Sequence, residues 1–287
     1  MSNLWNGKAV TIRECERKAY WAYWLGLDPI GGKANMERGA YIHDVISNTH
    51  KMRLRGNSDM QNNFGTCLAM AKGVPEYEHM DEDNNINLMM GNAWALMKDQ
   101  NIIAPEKVVH WKDYAPGVNW KGKPDGIIHD TRGFWIAELK TTLRYGDSLR
   151  RLYYKEIQPW LYYMIVKTQY PEYSPLLGVR MFIAPPKGGI PIEDIPFTSE
   201  REDIVMEFMR YMTLTFMRWE GSIYAGQIPE KDRSKCTNLF GECQYYALCV
   251  KGAFERKDYF EMLCKSFYKK VDPEDHLKED VEDGEKV

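Results

Sequence analysis

The segment Gly122-Lys-Pro-Asp-Gly-Ile-Ile-His-Asp-Thr-Arg-Gly-Phe-Trp-Ile-Ala-Glu-Leu-Lys140 brings two carboxylates and an ammonium into one short stretch. It reads as a β-hairpin turning between Asp130 and Gly133, since Asp in first place and Gly in last suit a type I turn. Closed there, an antiparallel pair sets Asp125 directly across from Glu138. Side chains alternate faces along a strand, so Glu138 and Lys140 share a side with each other and, by the pairing, with Asp125. The result is a hard, anionic oxygen site beside one positive charge. Mg²⁺ or Mn²⁺ prefers such donors and keeps several waters; a bound water loses its proton more readily and can attack a phosphodiester. Lys140 would orient that water or stabilise charge developing on the phosphorus oxygens. The plain alternative is a surface hairpin whose acid-base cluster arose by chance. Against it, Glu138 and Lys140 sit among Trp135, Ile136, Ala137 and Leu139, where a charge without a partner or ligand is costly.

A sheet must hold this hairpin. From residue 106 onward, 107–111, 123–129 and 134–141 are short β-prone runs divided by Pro, Gly and Asp turn signals, and 177–184 is a further strand. Helices frame them. Residues 11–25 set Ile12, Cys15, Ala19 and Ala22 at helical spacing. A second helix over 36–52 carries Gly39, His43, Ile46 and His50 along one side. The polar, Met-rich 53–100 region is a helical insertion of weak periodicity. Residues 148–169 read as a helix in which Pro159, lacking an amide hydrogen, forces a late start or a kink. A long amphipathic helix covers 199–224. With no internal repeat and no low-complexity linker, the chain reads as one elaborated α/β domain.

Composition narrows the class. The 287 residues are 44% hydrophobic, enough for a sizeable core, and the net charge of −3 excludes a protein that coats nucleic acid through bulk positive charge. Eight Asp or Glu residues lie between Asp272 and Val287, so residues 271–287 read as a solvated acidic tail. No charged leader and no membrane-length apolar run occurs, which points to the cytoplasm. There the six cysteines are thiols or metal ligands rather than disulfides. Cys236, Cys243 and Cys249 cluster and Cys15 lies far off in sequence; together they can complete a four-ligand site for zinc or for iron and sulfur, or they are small buried fillers. Arg13, Arg17 and Lys18 interleave with Tyr20, Trp21, Tyr23 and Trp24, a pattern suiting either single-strand contact or packing. Arg144, Arg150, Arg151 and Lys155 follow the hairpin and are placed to meet backbone phosphates.

Pro124-Asp125 with Glu138-Leu-Lys140 resembles the signature of the PD-(D/E)xK nuclease superfamily. The similarity reaches toward its RecB-like branch through Gly39-Ala-Tyr-Ile-His43 and Gln158-Pro-Trp-Leu-Tyr162, and Glu106 matches an acidic residue at the start of the first strand. The resemblance implies a restriction-endonuclease-like core, a mixed sheet flanked by helices, over about 36–225 with the helical insertion at 53–100. Residues 1–35 and 226–270 would contribute an N- and C-terminal iron-sulfur staple. It implies His43, Asp125, Glu138 and the Leu139 backbone carbonyl as ligands of Mg²⁺ or Mn²⁺, with Gln158 and Tyr162 holding DNA or the catalytic lysine. The cysteine order is similar to that of AddB-type nucleases and CRISPR-associated RecB-like exonucleases, implying a [4Fe-4S] cluster on Cys15, Cys236, Cys243 and Cys249, with zinc as the alternative. The first cysteine gap is six residues here against two in that family. The implied activity is exonucleolytic cleavage of single-stranded DNA or DNA ends, with a helicase, recombination or CRISPR adaptation partner and a homo-oligomer as possible associations. A structure-selective endonuclease and a catalytically quiet DNA-binding or assembly module are the competing readings.

Overall fold

A computed structural model describes residues 2–29, 34–77, 80–143, 155–187, 192–230, 232, 234, 236–238, 241–250 and 257–277. Its contacts form two units that cut across the segments expected from sequence: Lys33–Trp111 with Gly122–Val205, and Met1–Gly32 with Lys112–Lys121 and Met206–Val287.

The first of these holds the hairpin. Gly126–Asp130 pairs antiparallel with Gly133–Thr141 in the expected register, Gly126 opposite Ala137 and Asp130 opposite Gly133. The turn is fixed by the Arg132 N–H, which donates to Asp130 Oδ1 at 2.8 Å. Gly133–Thr141 runs parallel to Leu176–Ala184, and Ile192–Pro196 closes the four-stranded mixed sheet antiparallel to it. The outer edge of Gly126–Asp130 is not bare. Ile103 N donates to the Ile127 carbonyl, Ile127 N to Ala104 and Glu106 N to Asp125, so the 101–106 segment pairs along it without being a regular strand.

A central strand buried on both faces reads as a continuous apolar run, and Trp135 through Leu139 is buried throughout with Glu138 as its charged member. The helix Ala34–Leu54 sets Tyr41, Ile42, Val45 and Ile46 into one apolar cluster with Leu139, Phe182 and Met89, Ala93 and Met97 of Asn84–Met97. Met60–Lys72 and Asn84–Met97 each start behind an aspartate whose carboxylate caps the first turn, Asp59 accepting from Asn62 N and Asp83 from Asn85 N and Ile86 N. The Met-rich region is therefore part of the core as well as helical. The helix holding Gln158 and Tyr162 spans Gln158–Gln169, with Pro159 in its first turn, where a missing N–H costs nothing; of the helix expected over 148–169, residues 148–154 lie outside the described residues.

In the other unit the helix expected over 11–25 is broken. Asn6–Glu14 ends at Cys15, whose φ of −163° and ψ of 109° are extended, and a short turn Glu16–Ala19 leads into a π-helix Tyr20–Trp24. The break is held from outside: Trp219 Nε1 donates to the Glu16 carbonyl and Arg17 N to that of Glu230. Ser2–Leu4 runs parallel to Val118–Gly122, two strands that periodicity does not reveal. Ser199–Tyr224 is the expected long helix. Tyr268–Lys270 pairs antiparallel with Leu27–Pro29, and Trp21, Leu27, Tyr245, Leu248 and Tyr268 share a small core. The acidic stretch expected to be solvated from residue 271 enters the fold as far as Leu277. Val271 N donates to the Gly26 carbonyl, Glu274 accepts from Asn3 at 2.7 Å and pairs with Lys121 at 3.2 Å, and Leu277 is buried. Among the described residues no helix is long and apolar enough to cross a membrane.

Candidate active site

Asp125 precedes its strand by one residue, and the register carried back one step sets it across from Glu138 as expected. Its carboxylate, however, turns to the backbone. Leu139 N–H donates to Asp125 Oδ2 at 2.6 Å, while Oδ1 lies 2.9 Å from His43 Nδ1. Burial resists charge on either member of that pair. The negative charge and hydrogen bond of Asp125, helped by Glu138 and Glu106, still push His43 up to about 9. His43 and the Leu139 N–H in turn hold Asp125 below the ordinary carboxylate range against the cost of burial.

One step along, Glu138 is 4% exposed and lies 2.7 Å from Lys140 Nζ. The same ammonium is 2.6 Å from Glu156. Burial drives the Glu138 carboxyl upward, and the nearby charges of Asp125 and Glu156 add to that, with Lys140 opposing. Burial disfavours the Lys140 charge too, but two carboxylates hold it above the usual lysine range. Tyr162 faces the group: burial and the Glu138 charge raise its phenol, and Gln158 Nε2 donates to its hydroxyl at 2.7 Å. The ring passes so close to Gly122 that a Cβ there would stand 2.4 Å from it, so only glycine leaves Tyr162 this position.

Around this centre sit further groups, of which Glu156, Asp44 and Tyr77 were not singled out from sequence and Glu106 and Lys155 were. Glu156 gives no periodic signal, lying two residues ahead of the Gln158 helix. Glu106 is held 3.3 Å from both Lys51 and Lys123, at a left-handed φ of 49°. Tyr77 donates to Asp44, the residue after His43. Lys155 is exposed beside a groove of about 420 Å³ that Glu156, Trp160 and Arg201 also line. Arg144, Arg150 and Arg151 lie outside the described residues.

The cysteines belong to the other unit. Burial raises both Cys243 and Cys249, and the charges of Cys15 and a neighbouring cysteine, Cys236 for the first and Cys243 for the second, add to that. Cys243 N donates to the Cys236 carbonyl, and Trp21 Nε1 donates to Cys249 Sγ at 3.2 Å. Cys264, given no role from sequence, packs on the same small core, whereas Cys67 contacts Met52 in the unit that holds the hairpin.

Among the described residues no group of three or more His, Cys, Asp or Glu side chains is arranged to hold a metal ion. In the hairpin site the carboxylate oxygens are turned to His43, to Lys140 and to a backbone N–H. The donor chemistry, two buried carboxylates and an imidazole, still fits a hard divalent ion. In the other unit, thiols with an N–H directed at the Cys249 sulfur are donors of the soft kind that a thiolate-bound metal takes.

No curated protein matches the sequence. A crystal structure from Eubacterium rectale, provisionally named an exonuclease, is similar at a TM-score of 0.41 and 14% identity, over 83% of this chain and 86% of that one. The sequence family described as the PD-(D/E)XK nuclease superfamily matches residues 7–250, a span that contains Asp125, Glu138 and Lys140, and the mixed sheet flanked by helices is consistent with its core. The chain belongs to the PD-(D/E)XK nuclease superfamily.

Proposed function

We propose that the chain hydrolyses phosphodiester bonds of DNA at the Asp125, Glu138 and Lys140 site, working from single-stranded or free ends. The observation that carries this is Lys140 held between Glu138 and Glu156 while Asp125 bridges His43 and the Leu139 N–H: a buried carboxylate pair flanked by transferable protons. Nucleases of the superfamily generally use Mg²⁺ or Mn²⁺. His43, Asp125, Glu138 and the Leu139 carbonyl would hold such an ion, which when bound lowers the pKa of water and offsets charge on the phosphate. Lys140 orients the attacking water or stabilises the equatorial oxygens, and Glu156 keeps its ammonium charged and in place. Tyr162, fixed by Gln158 and by the missing side chain at Gly122, walls the site and positions Lys140 or the strand. Lys155, with Arg144, Arg150 and Arg151, meets backbone phosphates.

In this reading Cys15, Cys236, Cys243 and Cys249 hold a [4Fe-4S] cluster that ties residues 1–35 to 226–270. The mutual influence of the four thiols and the Trp21 N–H on Cys249 support it. The test uses protein purified without oxygen, assayed for metal content and for cleavage of end-labelled linear and closed circular single strands with Mg²⁺, Mn²⁺ or chelator. Metal-dependent loss of linear DNA with circles spared and iron bound is expected. Cutting of circles replaces the end-directed reading with an endonuclease, zinc in place of iron corrects the cluster, and no cleavage with any metal overturns the proposal.

A further inference from the structure

The helix that carries His43 presents more polar groups than the proposed chemistry uses. Ser47 and His50 follow His43 at four and seven residues, one stripe along Ala34–Leu54. With Glu106 and Asp125 they line a cavity of about 10 Å³. His50 is fully buried and Ser47 is 5% exposed. Neither ring nitrogen of His50, nor the Ser47 hydroxyl, meets hydrogen-bond geometry with a group among the described residues, although the Met97 carbonyl lies near enough to favour a proton on His50. Buried polar atoms are rarely left so, because the water they gave up is not replaced.

The cavity holds about one water-sized sphere, and a buried water needs two to four polar partners. A second cation fits poorly. Glu106 already carries Lys51 and Lys123 at 3.3 Å each. Burial and the Arg53 charge bring His50 down to about 4, so it is neutral at ordinary pH and can accept a hydrogen bond. We propose that Ser47 and His50 hold one buried water against Asp125 and Glu106, and so act as positioning residues for the His43 and Asp125 pair. The water accepts from the Ser47 hydroxyl and donates to one His50 nitrogen and to a carboxylate oxygen of Asp125 or Glu106. Through it the helix is braced against the loop that brings in Asp125. This rests on the reading above that His43 and Asp125 bind the divalent ion.

The test compares His50→Leu, His50→Gln and Ser47→Ala with His43→Ala in the full chain. Mn²⁺ affinity is read by electron paramagnetic resonance, long-lived internal waters by magnetic relaxation dispersion of ¹⁷O water, and stability by thermal unfolding. His50→Leu should lose one long-lived water and bind Mn²⁺ about tenfold more weakly, the scale on which outer partners of metal ligands act. His50→Gln, which keeps a hydrogen-bonding amide, should recover most of that affinity, and Ser47→Ala should weaken it without a large change in melting temperature. Should His50→Leu fail to fold, Ser47→Ala carries the same readouts. Unchanged water count and Mn²⁺ affinity in variants that only melt earlier overturn the inference and leave both residues as core. Wild-type Mn²⁺ binding by His43→Ala overturns the metal reading and this inference together. Weak binding by His43→Ala beside normal binding by the other variants overturns this inference alone.

Discussion

The two ends of the hairpin both gather acids and bases, and they do so differently. At the turn, Arg180 Nε donates to Asp194 Oδ1 at 2.6 Å and its Nη2 to Asp130 and Asp194, while Arg132 adds bonds to both acids. Arg180 and Arg132 also flank the Trp135 ring. Both carboxylates are held below their ordinary range, Asp194 by Arg180 first, and Asp130 by the Arg132 N–H and both guanidiniums against some burial. At the open end the partners are His43 and Lys140, and Glu138 is driven up rather than down. Arginine keeps its proton and binds in a fixed fork; histidine and lysine carry protons that the surroundings can move. The turn is a finished ion pair network, whereas the open end, in the proposed function, is one whose protons are exchanged for a metal ion.

The comparison breaks most readily at the open end. Asp125→Ala and Lys140→Ala are each expected to lower cleavage by on the order of 10²–10³-fold, the cost of removing one electrostatic stabiliser. They should differ in Mn²⁺ affinity, lost in Asp125→Ala and kept in Lys140→Ala. Near-normal cleavage by either variant would remove the contrast between the two ends.

Arg180→Ala tests the turn. It strands Asp130 and Asp194 and bares one side of Trp135, and should cost about 2–3 kcal/mol in urea unfolding, since hydrogen bonds to charged groups are the strong ones. Turnover by the folded fraction should stay close to wild type. A large loss of turnover with stability unchanged would mean that the turn belongs to the active site.

The smallest effects are in pH. Depressed folded pKa values at Asp130 and Asp194 mean that their stabilisation is present above an ordinary carboxylate pKa near 4 and is lost as pH falls through their folded values. His43 runs the other way. Its folded pKa of about 9 stabilises the metal-free protein below its ordinary value of 6.5, and that contribution disappears as pH rises through 9. Stability against unfolding in chelator should therefore fall on both flanks, with Arg180→Ala flattening only the acid one. Because a ligating imidazole must be deprotonated, Mn²⁺ affinity should climb over the same alkaline range in which metal-free stability falls. An affinity flat from pH 7 to 9 would place His43 outside the metal site.

What could be read from sequence was local. The turn chemistry of Asp130 and Gly133 specifies the hairpin register, and the apolar period of 199–224 gives its helix to both ends. Pro159 is informative because its missing N–H allows one helical position and forbids most others. Contacts made across long separations leave no such trace. Glu156 finds Lys140 from a loop, and the 101–106 segment pairs by backbone alone, for which any side chain would serve. Ile192–Pro196 is a short, largely exposed edge strand bounded by proline, so neither length nor alternation reveals it. The break at Cys15 has no Gly or Pro to announce it, being imposed by Trp219 and Glu230. Leu139 was picked for its carbonyl, yet its N–H makes the bond to Asp125.

The pairing of Tyr268–Lys270 with Leu27–Pro29 has a consequence for the order in which the protein is made. On the order of 240 residues separate the two strands, so at ~5–20 residues per second the first waits ten seconds or more for its partner to leave the ribosome. Over that interval the strands of the hairpin sheet, all complete by residue 196, can already pair. Cys15 and Trp21, by contrast, have no Cys249 or Tyr268 to meet. The cysteine end is therefore assembled last, and a ribosome stalled between the long helix and Tyr268 would display a folded hairpin sheet while the aromatic core was still open.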